Sequence, residues 1–149
     1  MDNVVEQVYT YNNKQYTIRL RDAAGLDSFS VLSDDIDCSI EAVLFVFAQN
    51  SQSSLDIVGH IYRNLQNHLS ALAFQSIPVV LVGNKRDTTV TINLDQCQEM
   101  IQSWNNIAKT FVETYAYDEA DINHLFDVVL GLIDGTHNQS QNSGSCVLL

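Results

Sequence analysis

Three observations in the sequence predict an α/β fold with a mostly parallel sheet, an antiparallel hairpin at its edge and helices on both faces. Near the start, two strand-like arms flank a short Asn-rich turn. Further on, the apolar runs AVLFVFA from Ala42 and IPVVLVG from Ile77 show no alternation, as expected of strands covered by helices on both sides. Between and after those runs, apolar residues recur at three- and four-residue steps, the period of a helix with one buried stripe. Strands that alternate with such helices read as a largely parallel sheet.

Each element has its own justification. Val4 to Tyr11 and Gln15 to Arg21 enclose Asn12, Asn13 and Lys14, and asparagine tolerates the positive backbone angles of a tight hairpin turn. In the second arm Tyr16, Ile18 and Leu20 alternate with Gln15, Thr17, Arg19 and Arg21, which is a strand with one buried face. A single helix is expected over roughly Ser54 to Phe74, with Val58, Ile61, Tyr62, Leu65, Leu69 and Leu72 on its stripe. Asn93 reads as the cap of a second helix whose inner side carries Cys97, Met100, Ile101, Trp104 and Ala108. TFVET from Thr110 is a short strand. A last helix begins near Asp118 or Glu119 and places Ile122, Leu125, Phe126, Val129 and Leu130 on one face. From Asp134 onward, DGTHNQSQNSGS has no apolar anchor and reads as a flexible tail.

Composition narrows the classes of function. A chain of 149 residues, 46% of them apolar, suffices for one domain with a real core. A formal charge of -11 argues against nucleic acid as a partner, because phosphate binding rests on Lys and Arg displacing counterions. No stretch approaches the roughly 18 consecutive apolar residues of a membrane span, and MDNVVEQ lacks the basic start and apolar run of a secretory signal. A cytoplasmic location is the expectation. Cys38, Cys97 and Cys146 form no C-x-x-C pair, and His60, His68, His124 and His137 form no ligand spacing or triad. Cys38 and Cys97 read as small apolar residues of the fold.

In an open α/β sheet, ligands sit at the carboxyl ends of the parallel strands. Three polar clusters fall there: RDAAGLDSF after the hairpin, GNKRD after the Ile77 run and ETYAY after the short strand. Their order and chemistry resemble the small GTPases of the Ras superfamily, where the matching segments are D-x-x-G, N-K-x-D and E-T-S-A-K. The likeness is to the Ras and Rheb branch, to which SWN at Ser103 to Asn105 is also similar, and it covers Val4 to Ile133 plus the terminal tetrapeptide. It implies a Ras-like P-loop NTPase fold, with GTP or GDP and Mg²⁺ as ligands and protein effectors and regulators as partners.

By that resemblance Asp87 accepts hydrogen bonds from the two guanine N–H groups, Asn84 and Lys85 brace the base and its loops, and the Ala116 backbone N–H meets the base carbonyl. A carboxylate suits that edge because it offers only acceptors. A bare N-K-x-D also suits a solvated loop, but the buried strand before it and the correctly spaced partners favour guanine. Asp22 matches the residue that holds Mg²⁺ through water, and Gly25 the one whose amide approaches the γ-phosphate. Departures from the family pattern are specific. Tyr115 replaces the usual serine and Tyr117 the usual lysine; these tyrosines suit either stacking on a ligand ring or packing within a loop. Leu26 replaces the glutamine that orients the attacking water, and leucine has no group for that task. No catalytic residue is therefore assigned.

The resemblance also implies a phosphate loop of the form G-x-x-x-x-G-K-S/T, and none of the 149 residues form one. The reading is of an incomplete Ras-like domain over 1–133, N-terminally truncated so that the phosphate loop and first switch are absent, followed by a tail over 134–149. The family's first strand normally lies between the hairpin and the Ala42 strand, so its loss should expose two long strand edges. Weak or no guanine nucleotide binding and little or no GTP hydrolysis are expected. CVLL fits the C-a-a-X pattern, with Leu149 where geranylgeranylation of Cys146 is directed. With no Lys or Arg between Asp134 and Ser145, a single lipid implies reversible attachment to the cytoplasmic face of membranes. Two other outcomes stand beside the signalling GTPase. One is a nucleotide-independent module presenting its helices and the SVLSDDIDCS segment to a protein partner, and the other is a truncated product without function.

Overall fold

The computed structural model describes residues 3–22, 40–84, 89–136 and 144–148, with Asn3 and 144–148 described by their backbone. The chain opens with β1 (Asn3–Tyr11) and β2 (Lys14–Asp22), an antiparallel hairpin closed by the pair Tyr11 and Lys14. Its two turn residues, Asn12 and Asn13, have φ of 49° and 61°. Positive φ at both central positions twists the arms in the sense that flanking strands prefer, and asparagine tolerates it better than other side chains. Then follow β3 (Ile40–Ala48), α1 (Gln52–His68), α2 (Ala71–Ser76), β4 (Val79–Asn84), α3 (Leu94–Ser103), β5 (Lys109–Thr114), α4 (Glu119–Thr136) and β6 (Gly144–Leu148). The sheet order is β1-β2-β6-β3-β4-β5. Every pairing except that of the hairpin is parallel, as the fold class predicted.

The unbroken apolar runs of β3 and β4 are explained by a core on each side of the sheet. Val43, Phe45, Phe47, Val79 and Leu81 face α1, α2 and α3, whereas Ala42, Leu44, Val80 and Val82 face α4. Alternate residues of one strand thus serve two cores. On the first side Trp104 stacks on Tyr62 with centroids 4.7 Å apart and planes 8° from parallel, and Phe45 packs against both rings. The Tyr62 hydroxyl donates to Asn106 Oδ1 at 2.8 Å and accepts from the Asn105 amide at 2.8 Å. Buried Asn106 completes the knot by donating to the carbonyls of Phe74 and Ile77 at 2.6 and 3.0 Å. Satisfied in this way, a polar group can sit in a core without a desolvation penalty.

Four expectations about elements need correction. The single helix over Ser54 to Phe74 is two: α1 ends at His68, the backbone of Leu69 after it is extended, and Ser70 caps α2 by accepting from the Ala73 amide. This break turns Phe74 inward to 1% exposure and leaves Leu72, expected on the inner stripe, 83% exposed. The helix after Asn93 is capped as expected, but it ends at Ser103. Ala108 lies beyond it, and its carbonyl accepts from the Val79 amide at 3.0 Å. The third correction concerns the span from Asp134, where α4 continues through Thr136 and Gly144–Leu148 forms a strand. The fourth follows from it. The β2 edge and the lower part of the β3 edge, expected to be bare, are both paired to β6, Thr17 to Gly144 through Arg21 to Leu148 on one side and Ile40 to Cys146 through Val43 to Leu148 on the other. Unpaired backbone groups beside a gap are satisfied best by another strand.

The hairpin is also fastened to α4 through side chains. The Tyr9 hydroxyl donates to Asp127 Oδ1 at 2.7 Å, with the Asn123 carbonyl at 3.0 Å, and its ring meets Phe126 edge-on at 5.4 Å. The Tyr16 hydroxyl donates to Asp134 Oδ2 at 2.9 Å. Burial, aided by the hydrogen bond to Asp127 and by its charge, pushes the Tyr9 phenol up from 10.0 to about 12. Burial and the bond to Asp134 raise the Tyr16 phenol in the same way.

Two measurements check these features. Asn13→Ala is expected to destabilise the fold by about 1 kcal/mol because alanine pays for left-handed backbone, while Asn13→Gly should match or exceed the parent in chemical denaturation; equal losses would contradict the turn. The Tyr9 proton is held more tightly in the folded state, so this contribution is complete below pH 10 and is lost as pH rises through about 12. The melting temperature should fall over that window, and Tyr9→Phe should flatten the fall. Identical alkaline slopes for the two proteins would count against the strut.

Candidate functional site

The carboxyl ends of β3, β4 and β5 lie level, since Ala48 pairs with Asn84 and Asn84 with Thr114. Helix and strand are locked together at this edge. The Ser54 hydroxyl accepts from the Ala48 amide at 3.0 Å and donates to the Ser51 carbonyl at 2.8 Å, while Ser51 caps α1. Gln49 follows β3 and is buried, its amide donating to the Asn84 carbonyl at 3.0 Å and its carbonyl accepting from the Thr91 and Ile92 amides at 3.1 Å. Its side chain crosses β4 at Gly83, where a Cβ would stand 2.7 Å from Gln49 Nε2 and 3.1 Å from the Phe111 ring. Only glycine leaves that passage open.

Two buried side-chain oxygens here, Asn84 Oδ1 and Gln49 Oε1, have no hydrogen-bond partner among the described residues. An orphaned acceptor costs about 1–3 kcal/mol, so a ligand or water that donates to it is favoured. Asn84 lines a cavity of about 240 Å³ on the α4 side of the sheet, together with Thr114, Ala116 and the apolar side chains of Leu20, Leu44, Val46, Val82, Ile122, Leu125 and Phe126. Val46, which also lines it, is 50% exposed although its neighbours on the strand are buried.

Ala116 lies in the exposed turn between β5 and α4. That turn is shaped by Asp121, whose carboxylate accepts from the Tyr115 amide at 2.8 Å, and by the Asp118 amide donating to the Tyr115 carbonyl at 2.9 Å. Tyr115 and Tyr117 are exposed and meet edge to face at 5.6 Å. They pack on each other and not into the core, which leaves the stacking reading open.

Of the residues singled out in the sequence, the structure brings Asn84 and Ala116 to one cavity. Asp22 stands apart. It ends β2 one residue beyond Arg21, which is level with Leu148 and Val43, and so lies about four residues short of the Ala48 level. That is about 14 Å from Asn84 across the sheet and about 13 Å along it, at ordinary strand spacings. Asp22 is exposed, and no group of three or more His, Cys, Asp or Glu among the described residues could hold a metal ion. Among the described residues Asn84 Oδ1 is thus an acceptor open to an N–H-bearing ligand, and the described residues do not by themselves fit Mg²⁺. Gly25, Leu26, Lys85 and Asp87 lie outside the described residues, as do Cys38 and His137. Cys97 is buried as expected, and burial raises its thiol pKa. His60, His68 and His124 are exposed on helices.

Gln49 was missed by sequence reasoning. The available signal was a lone amide directly after an apolar strand, opposite a glycine in the next one. Ser103 to Asn105 also takes on a structural meaning, since Trp104 and the Asn105 amide belong to the Tyr62 knot.

Comparison with known families matches the Ras family over residues 1–134. Among curated relatives, the chain is 28% identical over 151 residues to the small monomeric GTPase RhbA of Aspergillus fumigatus, covering 100% of this chain and 79% of that protein. It is 26% identical over 150 residues to the GTP-binding protein Rheb homolog of Drosophila melanogaster, covering 99% and 79%. Human GTP-binding protein Rheb is 25% identical over 150 residues, covering 97% and 78%. With its fold, its strand-end polar clusters and a match spanning 1–134, the chain belongs to the Ras family.

Proposed function

We propose that this chain is a Rheb-like GTP-binding signalling protein that holds a guanine base and grips the phosphates poorly. The observation that carries the reading is the buried Oδ1 of Asn84, without a partner among the described residues, in the cavity it shares with Ala116. Asp87 would accept from the guanine N–H groups, Lys85 would cover the base, and the Ala116 amide would meet its carbonyl oxygen. The relatives named above, GTP-binding proteins and a small GTPase, support the ligand class.

At the other end of the ligand, Gly25 and Asp22 would face the γ-phosphate and Mg²⁺, but the 149 residues hold no G-x-x-x-x-G-K-S/T run. Backbone amides and the lysine of such a loop supply most of the grip on a nucleotide. Leu26 offers nothing to orient a hydrolytic water. Titration of the purified chain with a fluorescent GDP should give no saturation at low micromolar protein and no measurable turnover of GTP. A submicromolar, Mg²⁺-dependent affinity abolished by Asp87→Asn would overturn this.

A second reading, a module that meets protein effectors or regulators without nucleotide, rests on the clusters of buried side chains packed on each side of the sheet. It requires a single cooperative melting transition in nucleotide-free protein.

The membrane half of the proposal rests on C-V-L-L at Cys146 to Leu149. One prenyl chain without a basic stretch gives reversible attachment to the cytoplasmic face of membranes. In fractionated cells Cys146→Ser should move the protein from the membrane pellet to the soluble fraction. An unchanged distribution would remove lipidation from the proposal.

A further inference from the structure

The residues that carry the lipidation signal are also an inner strand of the sheet. Gly144 to Leu148 pairs in parallel with β2 along its whole length and with β3 from Cys146 onward. Cys146 is in register with Arg19 on one side and Ile40 on the other. An inner strand commits the backbone on both of its edges, so a segment bonded in this way cannot at the same time lie extended in the groove of a modifying enzyme.

We infer that the C-terminal segment is a two-position device: seated between β2 and β3 it withholds Cys146 from modification, and once lipidated it stays out of the sheet. This rests on the lipidation reading above. In the reaction a bond forms between Cys146 Sγ and C1 of a polyprenyl diphosphate, the C1–O bond breaks, diphosphate leaves with the electron pair and the thiol proton passes to solvent. The donor and a prenyltransferase are supplied from outside.

Two features make the seated position one that can be left. The β3–β6 register shifts between Ile40 and Ala42, so the ladder on that side is interrupted where Cys146 sits. The strand is short, and β3 continues past Val43 to Ala48 beyond its last partner in β6. The hairpin keeps its Tyr9 and Tyr16 bonds to α4 when β6 departs, so the sheet can open there without the halves separating.

Hydrogen exchange on the full chain comes first. Amides of 144–148 should be protected together with 17–21 and 40–43, and exchange of 144–148 at the rate of an unstructured peptide would overturn the seated position. The full chain is then incubated with geranylgeranyl diphosphate and a type I prenyltransferase. It should be modified at least about tenfold more slowly than a synthetic peptide of residues 137–149, because the open state is a minor population. Ser145→Pro, which removes a backbone donor from the strand but leaves C-V-L-L intact, should restore the rate in the chain without changing it in the peptide. Should that variant fail to fold, the lipidated wild-type chain decides: loss of protection at those amides of 17–21 and 40–42 that point away from β1 and β4 supports exclusion, and their retained protection refutes it. Equal rates for chain and peptide, with the strand protected, also refute exclusion. Failure of the free peptide to accept the lipid instead sinks the lipidation reading, leaving the seated strand to stand or fall by exchange alone.

Discussion

Everything in this sheet depends on the pair of hydrogen-bonded ladders that β6 makes with β2 and β3. Without them the backbone would divide into an antiparallel hairpin and a parallel trio, β3-β4-β5, with bare edges facing one another. A parallel strand set between two parallel neighbours satisfies both edges at once, which no side-chain contact can do. The requirement is for backbone and for a short run that prefers extended conformation, and Cys146, Val147 and Leu148 suffice. Specificity of sequence enters on the flanks, where Ile18 and Leu20 of β2 and Ala42 and Leu44 of β3 build the core against α4.

That core shows how the fold keeps the hairpin in place by two unlike means. Ladder bonds join it to the sheet, and phenol–carboxylate bonds from Tyr9 and Tyr16 join it to α4. The first are many and individually weak after exchange with water, whereas the second are charge-assisted and stronger singly. On the opposite face the Tyr62, Trp104 and Asn106 knot plays the matching role. It anchors the loop after α3 to α1 and to the C-terminal end of α2. Between these two faces the strand ends of β3, β4 and β5 hold their polar edge level, and there two amide oxygens have no partner among the described residues.

How much of this could be read beforehand follows from which interactions are local. Asn12 and Asn13, Asn93, and the alternation of Tyr16, Ile18 and Leu20 state their structure within a few residues, and the turn, the helix start and the strand appear where the pattern put them. The runs in β3 and β4 announced two covered faces. The split at Leu69 and Ser70 was hidden because Leu69 and Leu72 continue the helical period, and only the long-range demand to bury Phe74 breaks it. Gly144 to Leu148 was hidden for a similar reason. Five residues after a polar stretch have no strand signature of their own, and their conformation comes from partners far away in the chain. At the site, Asn84 and Ala116 were singled out through the resemblance to the family motifs, whereas Gln49 was not, since its importance arises from crossing Gly83 on a neighbouring strand.

The position of β6 bears on how the protein is made. The strand at the centre of the sheet is the one furthest along the chain, so synthesis delivers every neighbour before the piece that joins them. During translation the hairpin and the trio must wait with their edges open, and closing the sheet is a late, long-range event of the kind that folds slowly. A chaperone or a neighbouring polypeptide that offers an extended strand at that moment would find the same vacancy that the C-terminus fills afterwards.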